Sequence, residues 1–363
     1  MENPAVRFGA GTLNLHYYNW ALANNWTMPA NTIMHYMSIG GVAMGTCHGG
    51  GIGHQTIADR IIEMDYVDST GNLQTISDPE LLKVAAGSMG LLGVVTSITY
   101  RLDEMSYARY HPKISESSLT SVLPPPGTDI PAEMVERLQH YYSEFIQYLG
   151  YNGDPGVLWL YTFQNDGKAE DATVIIDELE NAFQEDLIFL NQVGESLFQT
   201  ILEHYETDEY LYWIFGWITG KAAAFVMPDF DTSITTTGTE LPTIMTITTN
   251  KRSHPVTEAM HFRRGLHYLI VRAAELIVPI PLLENGDYDF RVVQEVVYDM
   301  KKVHEDFVSR GQHPVDYAFE ARMVSGSELY LSSQYGNAAS LAIEVAASPL
   351  IPEDVWVQFK VQV

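Results

Sequence analysis

At 363 residues the chain exceeds the length at which a single hydrophobic core stops growing, so two domains or lobes are expected. Hydrophobic residues make up 46% and charged ones 18%, the balance of a folded globular protein. The net charge of -26, from 46 acidic against 20 basic side chains, repels a nucleic-acid backbone or an anionic bilayer, so neither is expected as a partner. The densest basic positions, Lys251-Arg252 with Arg263-Arg264, read as a solvated face. One cysteine, Cys47, excludes an internal disulfide and any multi-cysteine metal site, and it leans towards a reducing compartment. The opening MENPAVRFGAG has neither a basic n-region nor an apolar h-region, so no leader is expected and a cytoplasmic location is the expectation. Asn25-Trp26-Thr27 matches the glycosylation sequon, a pattern that arises easily by chance.

In chain order, residues 33–102 are rich in glycine and β-branched residues. Ile61 to Val67, the turn Asp68-Ser69-Thr70-Gly71-Asn72 and Leu73 to Ile76 together predict a hairpin. Pro79 to Ala86 predicts a short helix, and Leu91 to Leu102 a β-rich run. Beyond Met105 the character changes, and a boundary is expected between Met105 and Pro112. Pro124-Pro125-Pro126-Gly127 marks a loop, and Pro131 introduces a helix expected over Ala132 to Leu149. Further helices are expected over Asp171 to Leu190 and Phe290 to Val308. Strands are expected over Val157 to Phe163, Thr243 to Thr249, Ala318 to Val324, Leu329 to Leu331 and Ser340 to Ala346. The most apolar stretch, Tyr212 to Met227, is broken by Gly216, Gly220 and Lys221; it is too short for a bilayer and reads as core or pocket lining. The fold class is α+β, a sheet covered by helices on one face.

The segment from Ser38 to His54 holds seven glycines, Gly40, Gly41, Gly45, Gly49, Gly50, Gly51 and Gly53. Such a run lets the backbone take positive φ and approach a ligand, so that consecutive N–H groups can point at a pyrophosphate, with Ser38 and Thr46 adding hydroxyl donors. The other reading is a turn whose glycines only permit close packing. No Gly-Lys-Ser/Thr follows, and the strand–helix setting of a dinucleotide fingerprint is poor. His48 and His54 lack the carboxylate neighbours that would complete a ligand set, so no metal is expected.

The surroundings add to this. Val6-Arg7-Phe8-Gly9-Ala10-Gly11, Trp26-Thr27-Met28-Pro29-Ala30, the glycine segment and Gly90-Leu91-Leu92-Gly93-Val94-Val95-Thr96 stand in an order and spacing that resembles the second half of the flavin domain of FAD-linked oxidases. The resemblance is to the vanillyl-alcohol-oxidase or PCMH type, which includes D-arabinono-lactone, sugar-lactone and alditol oxidases. It implies a partial PCMH-type FAD-binding domain over residues 1–108 and a substrate-binding domain over 109–363. It also implies non-covalent FAD, with Ser38, Gly40, Gly41, Thr46, Cys47, His48, Gly49, Gly50, Gly93 and Val94 as cofactor contacts. Two departures stand out: Thr46-Cys47-His48-Gly49 replaces the family's Gly-Thr-His-Gly, and the Arg-x-x-Gly-x-Gly-His-Ser-like loop expected before Val6 is absent. The His-Trp-Gly-Lys-like segment expected near the C-terminus is absent too, so both ends look clipped relative to the family.

Phe319-Glu320-Ala321-Arg322-Met323 reads as a strand, which puts Glu320 and Arg322 on one face. Alone this is as well explained by a surface ion pair. Together with Leu329-Tyr330-Leu331-Ser332-Ser333-Gln334-Tyr335-Gly336 it resembles the substrate-domain strand pair of the lactone and alditol oxidases, and Glu275-Leu276-Ile277-Val278-Pro279 resembles the strand bordering the same site. The resemblance implies Glu320 and Arg322 as catalytic residues, Glu320 being the candidate base, with Glu275, Ser332 and Tyr335 towards substrate. The expected activity is oxidation of a secondary alcohol on a polyol, sugar lactone or related metabolite, by hydride transfer to FAD and reoxidation by O2. Two alternatives stay open. One is a flavin-free descendant of the fold acting as a cyclase, isomerase or binding protein, for which Tyr205, Tyr210, Tyr212, Trp213, Phe215 and Trp217 would suit an apolar metabolite. The other is an inactive piece of a longer oxidase.

Overall fold

The structure is a computed structural model that describes residues 4–34, 36–110, 114–116, 119–148, 157–171, 232–235, 246–249, 253–260, 272–315, 318–347 and 351–363. The first third contains β1 (Ala5–Gly9), α1 (Asn14–Asn24), β2 (Trp26–Thr27), α2 (Ile39–Met44), β3 (Ile61–Val67), β4 (Leu73–Ile76), α3 (Pro79–Ala85), β5 (Val94–Arg101) and β6 (Asp103–Glu104). Then follow β7 (Tyr107–Tyr110), β8 (Ile114–Glu116), α4 (Leu119–Val122), α5 (Ala132–Leu138), β9 (Tyr142–Tyr148), β10 (Val157–Gln164), β11 (Thr232–Thr235), β12 (Thr246–Thr249), β13 (Ser253–Pro255) and α6 (Val256–Ala259). The last elements are β14 (Arg272–Ile280), α7 (Arg291–Ser309), β15 (Ala318–Ser325), β16 (Ala339–Ala347) and α8 (Glu353–Gln362). The chain is a mixed α+β protein.

Two antiparallel sheets organise it. The smaller has four strands in the order β1-β5-β3-β4; the larger has eight, in the order β13-β7-β10-β9-β15-β16-β14 with β8 paired to β10. The expected β3–β4 hairpin forms with Val67 opposite Leu73. Its turn is held by the Asp68 carboxylate, which accepts from the amides of Thr70 and Asn72 at 2.9 and 3.0 Å. Helix α3 starts where Asp78 accepts from the amides of Glu80 and Leu81, with proline at the first helical position, where its missing N–H costs nothing. Tyr17, Met28, Ile39, Val42, Met64, Ile98 and Tyr100 build the core of this part.

The larger sheet is two-faced, because residues alternate sides along a strand. Phe319, Ala321 and Met323 of β15 and Leu341, Ile343 and Val345 of β16 pack on one side against Val293, Val297, Met300 and Phe307 of α7 and Trp356 and Phe359 of α8. Each such buried apolar side chain contributes about 2 kcal/mol. The opposite side carries Glu320 and Arg322. The helix expected over Phe290 to Val308 is α7, and the strands expected over Val157 to Phe163, Ala318 to Val324 and Ser340 to Ala346 are β10, β15 and β16.

Two expectations are corrected. The helix expected over Ala132 to Leu149 ends at Leu138, and Tyr142–Tyr148 is a strand between β10 and β15. Tyr142, Phe145 and Ile146 are all buried, and their i, i+3, i+4 spacing looks helical because a central strand buries both faces. The strand expected over Leu329 to Leu331 is instead part of a turn, in which the Gln334 amide donates to Ser332 Oγ at 3.2 Å and the Ser327 amide to the Gln334 carbonyl at 3.1 Å. Leu329 is buried in the core of the first part, while Tyr330 and Leu331 are half exposed. Of Thr243 to Thr249, the described residues form β12. The helix expected over Asp171 to Leu190, beyond its first residue, and the apolar stretch Tyr212 to Met227 lie outside the described residues. Among the described residues no helix is long and apolar enough to cross a membrane.

Candidate active site at the seam of the two sheets

The glycine segment divides into two parts with different roles. Its first part is helix α2, capped by Ser38, whose Oγ accepts from the Gly41 amide at 3.1 Å. The amides of Ile39, Gly40 and Val42 donate to Thr12, Ala10 and Ser38 carbonyls, and those of Gly45 and Cys47 to Gly41 and Val42 carbonyls. These donors are therefore committed within the chain. A Cβ on Gly40 would stand 2.9 Å from Ala10 and one on Gly41 3.1 Å from Ser38 Oγ, so these glycines also permit close packing while their backbone borders a cavity. Ser38, Gly40 and Gly41, with Gly11, Gly90 and Gly93, line an open cavity of about 430 Å³ whose remaining walls include Met44, Met89 and Val95. Neither Gly11 nor Gly90 has a neighbour within 4 Å of where a Cβ would stand, so this side is open.

The second part, from Cys47 to His54, is pressed onto the larger sheet. The Gly51 amide donates to the Met323 carbonyl at 2.5 Å. A Cβ on Gly50 would stand 2.7 Å from the Tyr142 ring, and one on Gly51 1.9 Å from the Tyr141 carbonyl oxygen. Gly51 has φ +98°, a region that side-chain-bearing residues rarely adopt. His54 Nε2 reaches the Tyr141 carbonyl at 3.0 Å. Here the glycines serve close packing, the second of the two readings of the segment.

That docking brings the two candidate groups together. His48, buried on the loop, places Nε2 3.1 Å from both carboxylate oxygens of Glu275 on β14. Arg322 Nη2 lies 3.4 Å from Glu275 Oε1 and 3.2 Å from Glu344 Oε2, and its Nε is 3.4 Å from Glu320 Oε1. The last is an ion pair not aligned as a hydrogen bond. Strand register explains the row: Glu320 stands opposite Glu344, and Glu344 opposite Glu275, so three carboxylates cross β15, β16 and β14 on one face. Arg322 stands opposite Glu144 of β9, whose Oε2 accepts from the Tyr142 hydroxyl at 3.0 Å.

The electrostatics follow from this crowding. Burial works against the Arg322 charge, but the carboxylates led by Glu320, with Glu275 and Glu344, outweigh it and hold the guanidinium charged more firmly than usual. Burial pushes the Glu275 carboxyl up, yet the hydrogen bond and charge of His48, with Arg322, leave it below the usual carboxylate range. Burial, then the charge of Glu275, pushes the Cys47 thiol up. Among the described residues no cluster of His, Cys, Asp or Glu is arranged to hold a metal ion.

The other expected site residues fall as follows. Thr46 has φ +51° and closes on Gly87, whose Cβ would stand 2.4 Å from its methyl. Gly49, with φ +84°, packs on Asn31. Val94 is 70% exposed at the start of β5 and does not line the cavity. Ser332 Oγ bonds Gln334 Oε1 at 2.6 Å inside its turn, and Tyr335 stacks edge-on with Tyr330 at 5.2 Å. The contacts of these two lie within the turn. Glu344, Glu144 and Tyr142 belong to the group around Arg322 and were not expected from sequence; a lone glutamate in the apolar strand ASLAIEVAA was the available signal for Glu344.

No family model matches the chain, and no curated protein matches it. Solved structures do. A cholesterol oxidase from B. sterolicum superposes with a TM-score of 0.68 at 13% identity, over 99% of this chain and 67% of that one. A solvent-stable cholesterol oxidase gives 0.66 at 14% identity, over 98% and 66%. The 6-hydroxy-D-nicotine oxidase from Arthrobacter nicotinovorans gives 0.53 at 12% identity, over 99% and 66%. The chain spans about two thirds of the length of these proteins. The architecture of this protein is thus the one found in these oxidases.

Proposed function

We propose that the protein is an FAD-dependent oxidoreductase that oxidises a secondary alcohol, with residues 1–108 contributing part of the flavin site and 109–363 the substrate site. The observation that carries this reading is the junction itself: the glycine segment and the Glu320–Arg322 pair, 266 or more residues apart in sequence, meet through His48 and Glu275. The architecture shared with oxidases supports it. The cavity bordered by Ser38 and by Gly11 and Gly90, whose Cβ directions are open, leaves room for a dinucleotide's phosphate-bearing half. The adenosine side would lie by Gly90 and Gly93, and the ring end towards His48 and Arg322. Bound there, FAD would supply the hydride acceptor and return the electrons to O2.

The chain's own groups supply the rest. Arg322 holds the substrate oxygen, and Glu320 takes the hydroxyl proton as the carbinol carbon gives up its hydride and becomes a carbonyl. A wall of glutamates is a wall of acceptors, which suits a ligand rich in hydroxyl donors, such as a polyol or sugar lactone, more than an apolar one. A flavin-free descendant of the fold is the competing reading. It draws support from the amides of residues 39–42, 45 and 47, which already donate within the chain or to Ser38. The visible spectrum of the purified protein, with and without added FAD, separates the two. Flavin absorbance that survives gel filtration supports the oxidoreductase. A folded protein that stays colourless at excess FAD removes the redox reading.

A further inference from the structure

We infer that His48 is a positioning residue of this site, a proton-bridged brace that fixes the Glu275 carboxylate against the glycine segment; this rests on the reading just given. The argument is a hydrogen count. His48 Nδ1 lies 2.7 Å from the Gly49 carbonyl oxygen, which can only accept, so Nδ1 carries a hydrogen. Nε2 lies 3.1 Å from both oxygens of Glu275. A bare ring nitrogen against a bare carboxylate would oppose lone pair to lone pair, so one proton lies between them. Arg322 Nη2, 3.4 Å from Glu275 Oε1, favours the ionised carboxylate and so places that proton on Nε2. The depressed Glu275 carboxyl agrees with this.

Both ring nitrogens are thereby committed, and the ring is buried, so it cannot turn without losing a bond. Gly49 at φ +84° packs on Asn31, which fixes the carbonyl that aims the ring. The groups facing the pair are Cys47 from the loop and Arg322, Glu320 and Glu344 from the sheet. Glu275 thus stands between two partners, His48 on the loop side and Arg322 on the sheet, with Arg322 also engaged by Glu344 at 3.2 Å and Glu320 at 3.4 Å. Without the ring, Glu275 loses its partner on the glycine segment and the segment one of its links to the sheet.

The experiment is a titration of FAD into wild type, His48→Gln, His48→Ala, Glu275→Gln and the double variant H48A/E275Q, followed by flavin fluorescence. It is paired with 15N spectra of histidine-labelled protein. His48→Ala and Glu275→Gln should each weaken FAD about tenfold, and the double variant should be no weaker than either, because the two act as one unit. His48→Gln, which keeps one neutral donor, should lose about threefold or less, and it serves as the informative variant where alanine fails to fold. The spectra should show both His48 ring nitrogens hydrogen-bonded in wild type and the Nε2 signal moved in Glu275→Gln. Unchanged FAD affinity in His48→Gln, His48→Ala and Glu275→Gln, with only melting temperature lowered, overturns the inference and leaves the proposed function standing. Wild type that takes up no FAD removes the proposed function, and the 15N spectrum then decides the brace: a His48 Nε2 signal unmoved by Glu275→Gln overturns it.

Discussion

Gly51 offers the sharpest measure of how firmly the glycine segment is seated. Replacing it with alanine puts a Cβ 1.9 Å from the Tyr141 carbonyl oxygen, at a φ of +98°. The backbone strain costs about 1–3 kcal/mol, and relieving the overlap by moving the loop costs a similar amount. Such a move also stretches the Gly51 to Met323 bond of 2.5 Å, worth about 1 kcal/mol. The sum is about 3–7 kcal/mol, a large fraction of the stability of a typical domain. Two internal controls isolate the cause. Gly71 has φ +84° but nothing within 4 Å of a Cβ, so Gly71→Ala reports strain alone, about 1 kcal/mol. Gly53 has open space and no positive φ, so Gly53→Ala should leave the protein unchanged. Urea unfolding followed by tryptophan fluorescence should rank the midpoints Gly53→Ala, Gly71→Ala, Gly51→Ala in falling order. A Gly51→Ala midpoint equal to that of Gly71→Ala would falsify the tight seating of loop on sheet.

The remaining expectations concern titration and charge. His304, buried on α7 and hydrogen-bonded to the Val315 carbonyl, has its pKa lowered by burial from 6.5 to about 4. The folded state thus prefers the neutral ring, so its contribution is complete above pH 6.5 and is lost as pH falls towards 4, about 3 kcal/mol in all. His304→Leu should flatten the acid limb of the stability–pH curve in that window; an unchanged limb counts against it. Arg322→Met removes the cation among Glu275, Glu320 and Glu344 and should cost about 3–5 kcal/mol at pH 7.5. The deficit should shrink at pH 5, where those carboxyls can take protons, and a deficit that grows on acidification contradicts the assignment. Cys47, its thiol pushed up by burial, should resist iodoacetamide at pH 8 in the native protein and react fully in urea; equal rates in both refute its placement.

How much of this was legible beforehand depended on how local the signal was. The β3–β4 hairpin, α3, α7 and the strands β10, β15 and β16 could be read because turn residues, a proline start and apolar periodicity are local features. Strand β9 could not, since Tyr142, Phe145 and Ile146 repeat at helical spacing when a strand is buried on both faces. The pairing of Glu320 with Arg322 followed from the two-residue period. The partnership of both with Glu344 and Glu144 depended on strand register, which no single segment encodes. The glycine segment stands out by composition, but which of its glycines press on Ala10, Ser38, Tyr141 or Tyr142 required the neighbours that a Cβ would strike.

Leu329 leaves the larger sheet on the turn between β15 and β16 and lodges in the core beneath the smaller one. Beside it the Asp59 carboxylate accepts from Ser327 Oγ and the Glu328 amide, both at 3.0 Å, and the Tyr330 amide bonds the Lys83 carbonyl. This acts as a bolt across the seam. Parting the two sheets would draw an apolar plug into water and take from Asp59 the two donors that Ser327 and Glu328 supply, so the seam resists hinging.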